Sequence, residues 1–237
     1  MGEIRLGCSG WSYEHWRDFL YRDVSPRHHL EHYANLFNCV EVNMTFYRFP
    51  TTHMIKNWFE STPDDFLFAI KVNRSITHMK KLQEVNTLLE NFLNICYRLG
   101  NKFGPLLVQL PPNYSKDTRR LETFLTLLPD IRVAFEFRNK SWFDNAIFEL
   151  LNTYNAALVL LGSQFDKNYT VYTNFAYIRW HGRGGQMDSY SQDEINYWAD
   201  RIRAISESAD VYGFWNNDAF AYAPKNCLEL LKKLKLR

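Results

Sequence analysis

The sequence predicts an α/β fold, a single (β/α)8 TIM barrel with a parallel eight-stranded core. Three observations predict it. Short apolar runs alternate with helix-length stretches, the pattern of a parallel sheet with right-handed crossovers. Eight such runs can be placed, which implies closure rather than an open sheet. The 237 residues match the roughly 250 of one barrel of this kind.

The elements follow in order. Strands are expected near 3–9, 39–45, 66–72, 105–110, 131–138, 156–161, 175–181 and 211–216. Amphipathic or leucine-rich helical stretches cover 26–37, 52–61, 82–99, 117–128, 142–154, 191–207 and 224–235. Ser25-Pro26 reads as an N-cap before a proline at the first helical position. Ser191-Gln192-Asp193-Glu194 fits a capping box, Gly100 follows Leu99 as a C-cap would, and Pro111-Pro112 stops the fourth strand. The stretch 162–174 is too short and polar for a full helix. No linker, low-complexity tract or short repeat interrupts the chain, so 1–237 is expected to be one domain.

Composition narrows the function classes. A formal net charge of +2 argues against a broad basic nucleic-acid surface while leaving room for a local cationic pocket. Aromatic residues are unusually frequent at 16%; many are expected to line the core and some to face a cleft. Cys8, Cys39, Cys96 and Cys227 form no CxxC pair, against a zinc ribbon or a thioredoxin-type motif, and such scattered cysteines suit a reducing compartment. No signal peptide and no apolar run of about 18 residues is visible, so a cytoplasmic protein without membrane contact is expected. No GxGxxG, P-loop, GxSxG or HExxH occurs, and no cofactor is implied.

The chemistry is expected at the C-terminal ends of the strands, where barrels of this type carry their sites. Lys71, Gln109, Glu136 with Arg138, and Arg179 with His181 close four apolar runs. Side chains alternate along a strand. Glu41, Asn43 and Thr45 therefore share one face of the second strand, Glu136 and Arg138 one face of the fifth, and Tyr177, Arg179 and His181 one face of the seventh. Gly7 and Ser9 share the inward parity on the first strand, and Ala69, Lys71 and Asn73 on the third. Unpaired charges in a dry core cost several kcal/mol or more, so these residues are expected near the barrel mouth, paired with each other or with a ligand. The plain alternative is a structural ion pair of Glu136 with Arg138 or Arg179. Against it, Lys71, Arg74, Arg138 and Arg179, with His78 and His181, outnumber Glu41 and Glu136, and converging positive charge asks for an anion.

Further residues complete the expected site. His181-Gly182-Arg183-Gly184-Gly185 follows the seventh strand, where barrels often bind phosphate, and Arg183 could add a bidentate contact; a plain turn is the alternative. Trp11 and Tyr47 are expected to wall the cleft, and Gln109 and Asn217 to read polar groups. Glu136 could act as a base, and His78 and His181 could shuttle a proton or serve only as hydrogen-bonded structural residues. Glu41, Glu136, His78, His181 and Asp218 are conceivable metal ligands, but they show no fixed spacing and have cations as neighbours, so no metal is expected.

These motifs together resemble the YecE-like family, domain of unknown function 72, from end to end. The pieces are Gly7-Cys8-Ser9-Gly10-Trp11-Ser12-Tyr13 with Trp16, Thr45-Phe46-Tyr47 with Pro50, and Lys71 with Arg74 and Ile76-Thr77-His78. Gln109-Leu110-Pro111-Pro112, Glu136-Phe137-Arg138 with Ser141-Trp142, Arg179-Trp180-His181-Gly182 and Asn216-Asn217-Asp218 follow in order. The resemblance implies a TIM barrel and no established activity. It also implies an architecture similar to endonuclease IV and xylose-isomerase-like barrels, which suggests a nucleic-acid or phosphate site on fold analogy alone. The chain departs from the family pattern at Arg17 and Arg22, where Gly and Pro are expected, and at Gly162-Ser163, where an acidic residue often ends the sixth strand. The leading expectation is a metal-independent pocket for a phosphate-bearing or other small anionic ligand. The rivals are a metal-dependent phosphodiester hydrolase using Glu136, His181 and Glu41, and a non-enzymatic protein whose barrel mouth docks a partner. Neither catalysis nor the oligomeric state follows from the sequence.

Overall fold

In the computed structural model, residues 1–162, 171, 173–182 and 188–236 are described. The strands are β1 (Ile4–Cys8), β2 (Cys39–Val42), β3 (Leu67–Lys71), β4 (Phe103–Leu110), β5 (Val133–Phe137), β6 (Ala157–Leu161), β7 (Phe175–Trp180) and β8 (Asp210–Trp215). Between and after them run α1 (Arg17–Leu20), α2 (His29–Ala34), α3 (Thr52–Glu60), α4 (Asn86–Cys96), α5 (Thr118–Thr126), α6 (Asn145–Thr153), α7 (Gln192–Ser206) and α8 (Tyr222–Leu234). The strands form one sheet in the order β1-β8-β7-β6-β5-β4-β3-β2, and a parallel bridge between Ser9 and Glu41 links the two ends of that order. This is the expected (β/α)8 barrel.

The chain divides into two compact units. The first comprises Met1–Glu41, Ser61–Phe66 and Leu160–Arg237, the second Val42–Glu60 and Leu67–Val159. In the first, β7 and β8 run in register from Phe175↔Asp210 to Trp180↔Trp215. That register stacks the Trp180 and Trp215 rings at 4.4 Å, with Trp198 of α7 edge-on to Trp180 at 5.3 Å. Gly162 follows from this packing. A Cβ there would lie 2.4 Å from the Trp180 ring and 2.5 Å from the Tyr190 hydroxyl, so no acidic side chain could end β6 at this position. In the second unit, Trp58 of α3 stacks on Phe68, and Phe137 lies parallel to Trp142 at 4.8 Å. The helices bury the stripes their spacing implies: Leu121, Phe124 and Leu125 on α5, and Ile195, Trp198, Ala199 and Ile202 on α7.

Three local expectations need correction. The second strand stops at Val42, and Met44–Phe46 form a 3-10 turn, so Asn43 and Thr45 do not continue the alternation that begins at Glu41. Ser25 precedes a 3-10 turn, Pro26–His28, and its side chain makes no capping bond. Gly100 does not end α4. That helix stops at Cys96, and Gly100 takes a left-handed φ of 53° within the 3-10 segment Tyr97–Lys102. The capping box at Ser191 and Glu194 is present in both directions. The segment 163–170, most of the stretch expected to lack a helix, lies outside the described residues.

Candidate functional site

The expected site residues fall into two groups, one within each compact unit. In the first unit, Glu41 is wholly buried at the end of β2, yet its carboxylate is saturated. Oε1 accepts from Arg179 Nη2 at 2.7 Å and Ser9 Oγ at 2.6 Å, and Oε2 accepts from Arg179 Nε at 2.9 Å and Tyr177 Oη at 2.8 Å. Such charge-assisted contacts make this buried pair tolerable. Burial, reinforced by the Glu41 charge, pushes the Tyr177 hydroxyl well above its ordinary range, so it remains a donor. Ser9 and Tyr177 are legible in the sequence only as inward-facing positions; their spacing of two from Gly7 and from Arg179 is the signal.

The remaining Arg179 nitrogen faces His181. Arginine has only donors, so Nη1 donates to His181 Nε2 at 3.2 Å, and Nε2 carries no proton. His181 Nδ1 lies 2.9 Å from Asn216 Nδ2, so a proton on Nδ1 would require that amide to be turned to present its oxygen. Both ring nitrogens of His181 are thus engaged by protein groups.

The segment after β8 holds two further ties. Asn217 is buried, and its Nδ2 donates to Asn226 Oδ1 at 2.9 Å and to the Asp188 carbonyl at 3.1 Å. Asp218 accepts from the buried Trp16 indole at 2.5 Å and lies 3.1 Å from His15 Nε2. Burial raises the Asp218 carboxyl above its ordinary range, with the Trp16 and His15 contacts opposing. Trp11 is half-buried, and its carbonyl accepts from the Tyr21 hydroxyl. Arg183 and the glycines after it lie outside the described residues.

In the second unit, Lys71 ends β3 with 9% of its surface exposed, its ammonium 4.5 Å above the Phe46 ring. The chain around it is held by side chain to backbone bonds. Thr45 Oγ1 lies 2.6 Å from the Lys71 carbonyl, and Asn73 Nδ2 donates to the Thr45 carbonyl at 2.8 Å. Asn73 Oδ1 accepts from Ser75 N and Oγ, opening a π-helical turn, Ser75–Met79, that carries His78. Single π turns often occur at functional sites. Left-handed Lys81, Leu82 and Glu84 follow it closely, at φ values of 48°, 65° and 50°. His78 meets the Phe46 ring edge-on at 4.8 Å, and burial followed by the Lys71 charge lowers its pKa.

Glu136, 1% exposed on β5, accepts from Gln109 Nε2 at 3.0 Å and pairs with Arg138, whose side chain stays 37% exposed. Arg74 and Tyr47 are exposed, and Asn43 is half-buried with a buried Oδ1 that finds no hydrogen-bond donor among the described residues. The structure therefore gathers Lys71 with Phe46 and His78, and Gln109 with Glu136 and Arg138. It commits Arg179 to Glu41. A cleft of about 220 Å³ lies elsewhere, among Asn35, Phe37, Asn38, Pro63, Phe66 and Leu231, ahead of β2 and β3, and no expected site residue lines it. Among the described residues, no group of three or more His, Cys, Asp or Glu side chains is placed to hold a metal ion. No helix among them is long and apolar enough to cross a membrane.

An eight-stranded parallel sheet with polar groups gathered where its strands end makes this a TIM-barrel protein. The chain belongs to the family described as "Protein of unknown function DUF72", whose model matches residues 5–237. It is 32% identical to UPF0759 protein YecE of Escherichia coli over 142 residues, 59% of this chain and 50% of that protein, so this match spans about half the length of the relative. It is 24% identical to UPF0759 protein YunF of Bacillus subtilis, covering 98% of this chain and 95% of that protein. The crystal structure of a DUF72 family protein from Thermotoga maritima superposes with a TM-score of 0.88 at 26% identity, over 98% of this chain and 99% of that one. One from Enterococcus faecalis gives 0.84 at 23% identity, over 99% and 96%, and supports the fold alone.

Proposed function

We propose that the ends of β3, β4 and β5 bind a small anion through Lys71, Arg74 and Arg138, a phosphate group being the best match. The observation that carries this reading is Lys71, a largely buried ammonium resting on the Phe46 ring and close enough to His78 to lower its pKa. Arg74 is exposed three residues after β3 ends, and the Arg138 side chain stays partly exposed while it pairs with Glu136. Lys71 and Arg74 thus belong to the end of β3, and Arg138, paired with Glu136, to the end of β5. Gln109 and Glu136 orient Arg138, and the π turn presents His78.

Metal-dependent phosphodiester hydrolysis has less support. Its two carboxylates, Glu41 and Glu136, are each engaged by a guanidinium group.

The test is a thermal-shift titration with inorganic phosphate on wild type, Lys71→Met and Arg74→Ala. Phosphate stabilises many proteins through exclusion from their surfaces, so the comparison with the variants is the readout. A bound anion raises Tm in wild type beyond the rise in either variant, by the equivalent of about 2.7 kcal/mol at a hundredfold excess over Kd. Identical rises in all three proteins would overturn the reading.

A further inference from the structure

We infer that the anion is the phosphate of an ester that also carries a planar ring, and that Tyr47 is the platform for that ring. The inference rests on the anion reading at β3–β5. Its starting point is Phe46, which three groups share. The Lys71 ammonium lies over its face at 4.5 Å, His78 meets it edge-on at 4.8 Å, and Tyr47 stands perpendicular to it at 5.1 Å with an interplanar angle of 88°.

Tyr47 differs from the other two in facing water. It is 67% exposed, whereas Lys71 is buried and His78 half-buried. The root of Tyr47 is nonetheless fixed. Its backbone N–H donates to the Met44 carbonyl at 3.1 Å, closing the turn that begins at β2. A largely exposed aromatic ring therefore stands on a fixed turn and against Phe46, the ring whose face carries the Lys71 ammonium.

The separation restricts what fits. Laid end to end, 5.1 Å and 4.5 Å put the Tyr47 ring centre within about 10 Å of the Lys71 ammonium. An aromatic ring stacks at about 3.5–4.0 Å between carbon atoms, and a phosphate oxygen sits about 2.7–2.9 Å from an ammonium. A ring on Tyr47 and a phosphate at Lys71 are thus within the span of one small ester. Aryl phosphates and nucleoside monophosphates share this chemistry. Inorganic phosphate and simple sugar phosphates lack the ring.

The experiment is calorimetric titration of wild type, Lys71→Met, Tyr47→Ala and Tyr47→Phe with four probes: inorganic phosphate, ribose 5-phosphate, phenyl phosphate and adenosine monophosphate. Stacking predicts that at least one probe with an aromatic ring binds wild type on the order of tenfold more tightly than the two without one. Tyr47→Ala brings that ratio toward one, and Tyr47→Phe retains it. Phenyl phosphate gaining as much as adenosine monophosphate names a plain aryl ester; a gain confined to the nucleotide names a base carried on a sugar. Equal affinity of all four probes, with binding that depends on Lys71, would overturn the role of Tyr47 and leave the anion site standing. Phosphate binding that ignores Lys71→Met would remove the anion site, and this inference with it.

Discussion

Arg179 lays its guanidinium along Glu41 in a two-pronged contact, Nη2 to Oε1 at 2.7 Å and Nε to Oε2 at 2.9 Å, with both side chains essentially out of solvent. The pair makes the first unit's polar group a framework. Arg179→Met removes both guanidinium contacts from the buried Glu41 carboxylate and leaves the Ser9 and Tyr177 hydroxyl donors in place. Breaking one side of a buried pair costs about 3–5 kcal/mol. Urea denaturation should show that loss, and the double variant Glu41→Gln/Arg179→Met should lose clearly less than the two single losses added together. A single-variant cost under about 1 kcal/mol would show that the pair contributes little.

Arg138 makes a poorer probe of ligand binding than its place in the sequence suggests, because Glu136 beside it is buried. Arg138→Ala should lower stability by roughly 2 kcal/mol or more, through the carboxylate it leaves behind. Arg74 is exposed, so Arg74→Ala should stay within about 0.5 kcal/mol of wild type in the same denaturant titration. If Arg138→Ala proves as harmless as Arg74→Ala, then the contacts that remain to Glu136, Gln109 among them, suffice for it.

Those two arginines show what the sequence can reveal. Apolar runs that end in charge, such as Val133 to Arg138, locate the strands and mark the strand ends as polar, because a parallel strand is buried on both faces and only its end can carry charge. Pairing is not legible. Glu41 and Arg179 lie 138 positions apart, and only the fold brings them together. Thr45 misleads for a local reason. Its hydroxyl reaches the carbonyls of Val42 and Lys71, bonds that belong to a turn, and a period of two cannot show where a strand stops. The π turn under His78 depends on Asn73 bonding Ser75, a contact with no hydrophobic periodicity to announce it.

His181 should exist as the neutral tautomer with its proton on Nδ1, because Arg179 donates to Nε2. Nitrogen-detected NMR of imidazole-labelled protein distinguishes the two ring nitrogens directly. Asn216→Leu removes the side-chain amide facing Nδ1 and should cost about 1–3 kcal/mol if that ring nitrogen is left buried without a partner. A proton found on Nε2 would mean that the Arg179 contact does not persist in solution.

His78 gives stability a pH dependence whose sign is fixed. Burial and the Lys71 charge hold its pKa below the ordinary 6.5, so between that lowered value and 6.5 the unfolded chain binds more protons than the native one. Stability therefore falls as pH drops from 6.5 toward the lowered value, and this contribution changes no further below it. His78→Gln removes the term, so the wild-type loss of stability between pH 7 and pH 5 should exceed that of the variant in parallel urea titrations. The same residue reports on the anion. A phosphate beside Lys71 offsets the positive charge that depresses His78, so saturating phosphate should move the His78 titration, followed by NMR, toward higher pH. The shift should vanish in Lys71→Met. A His78 pKa indifferent to phosphate would place the anion away from Lys71.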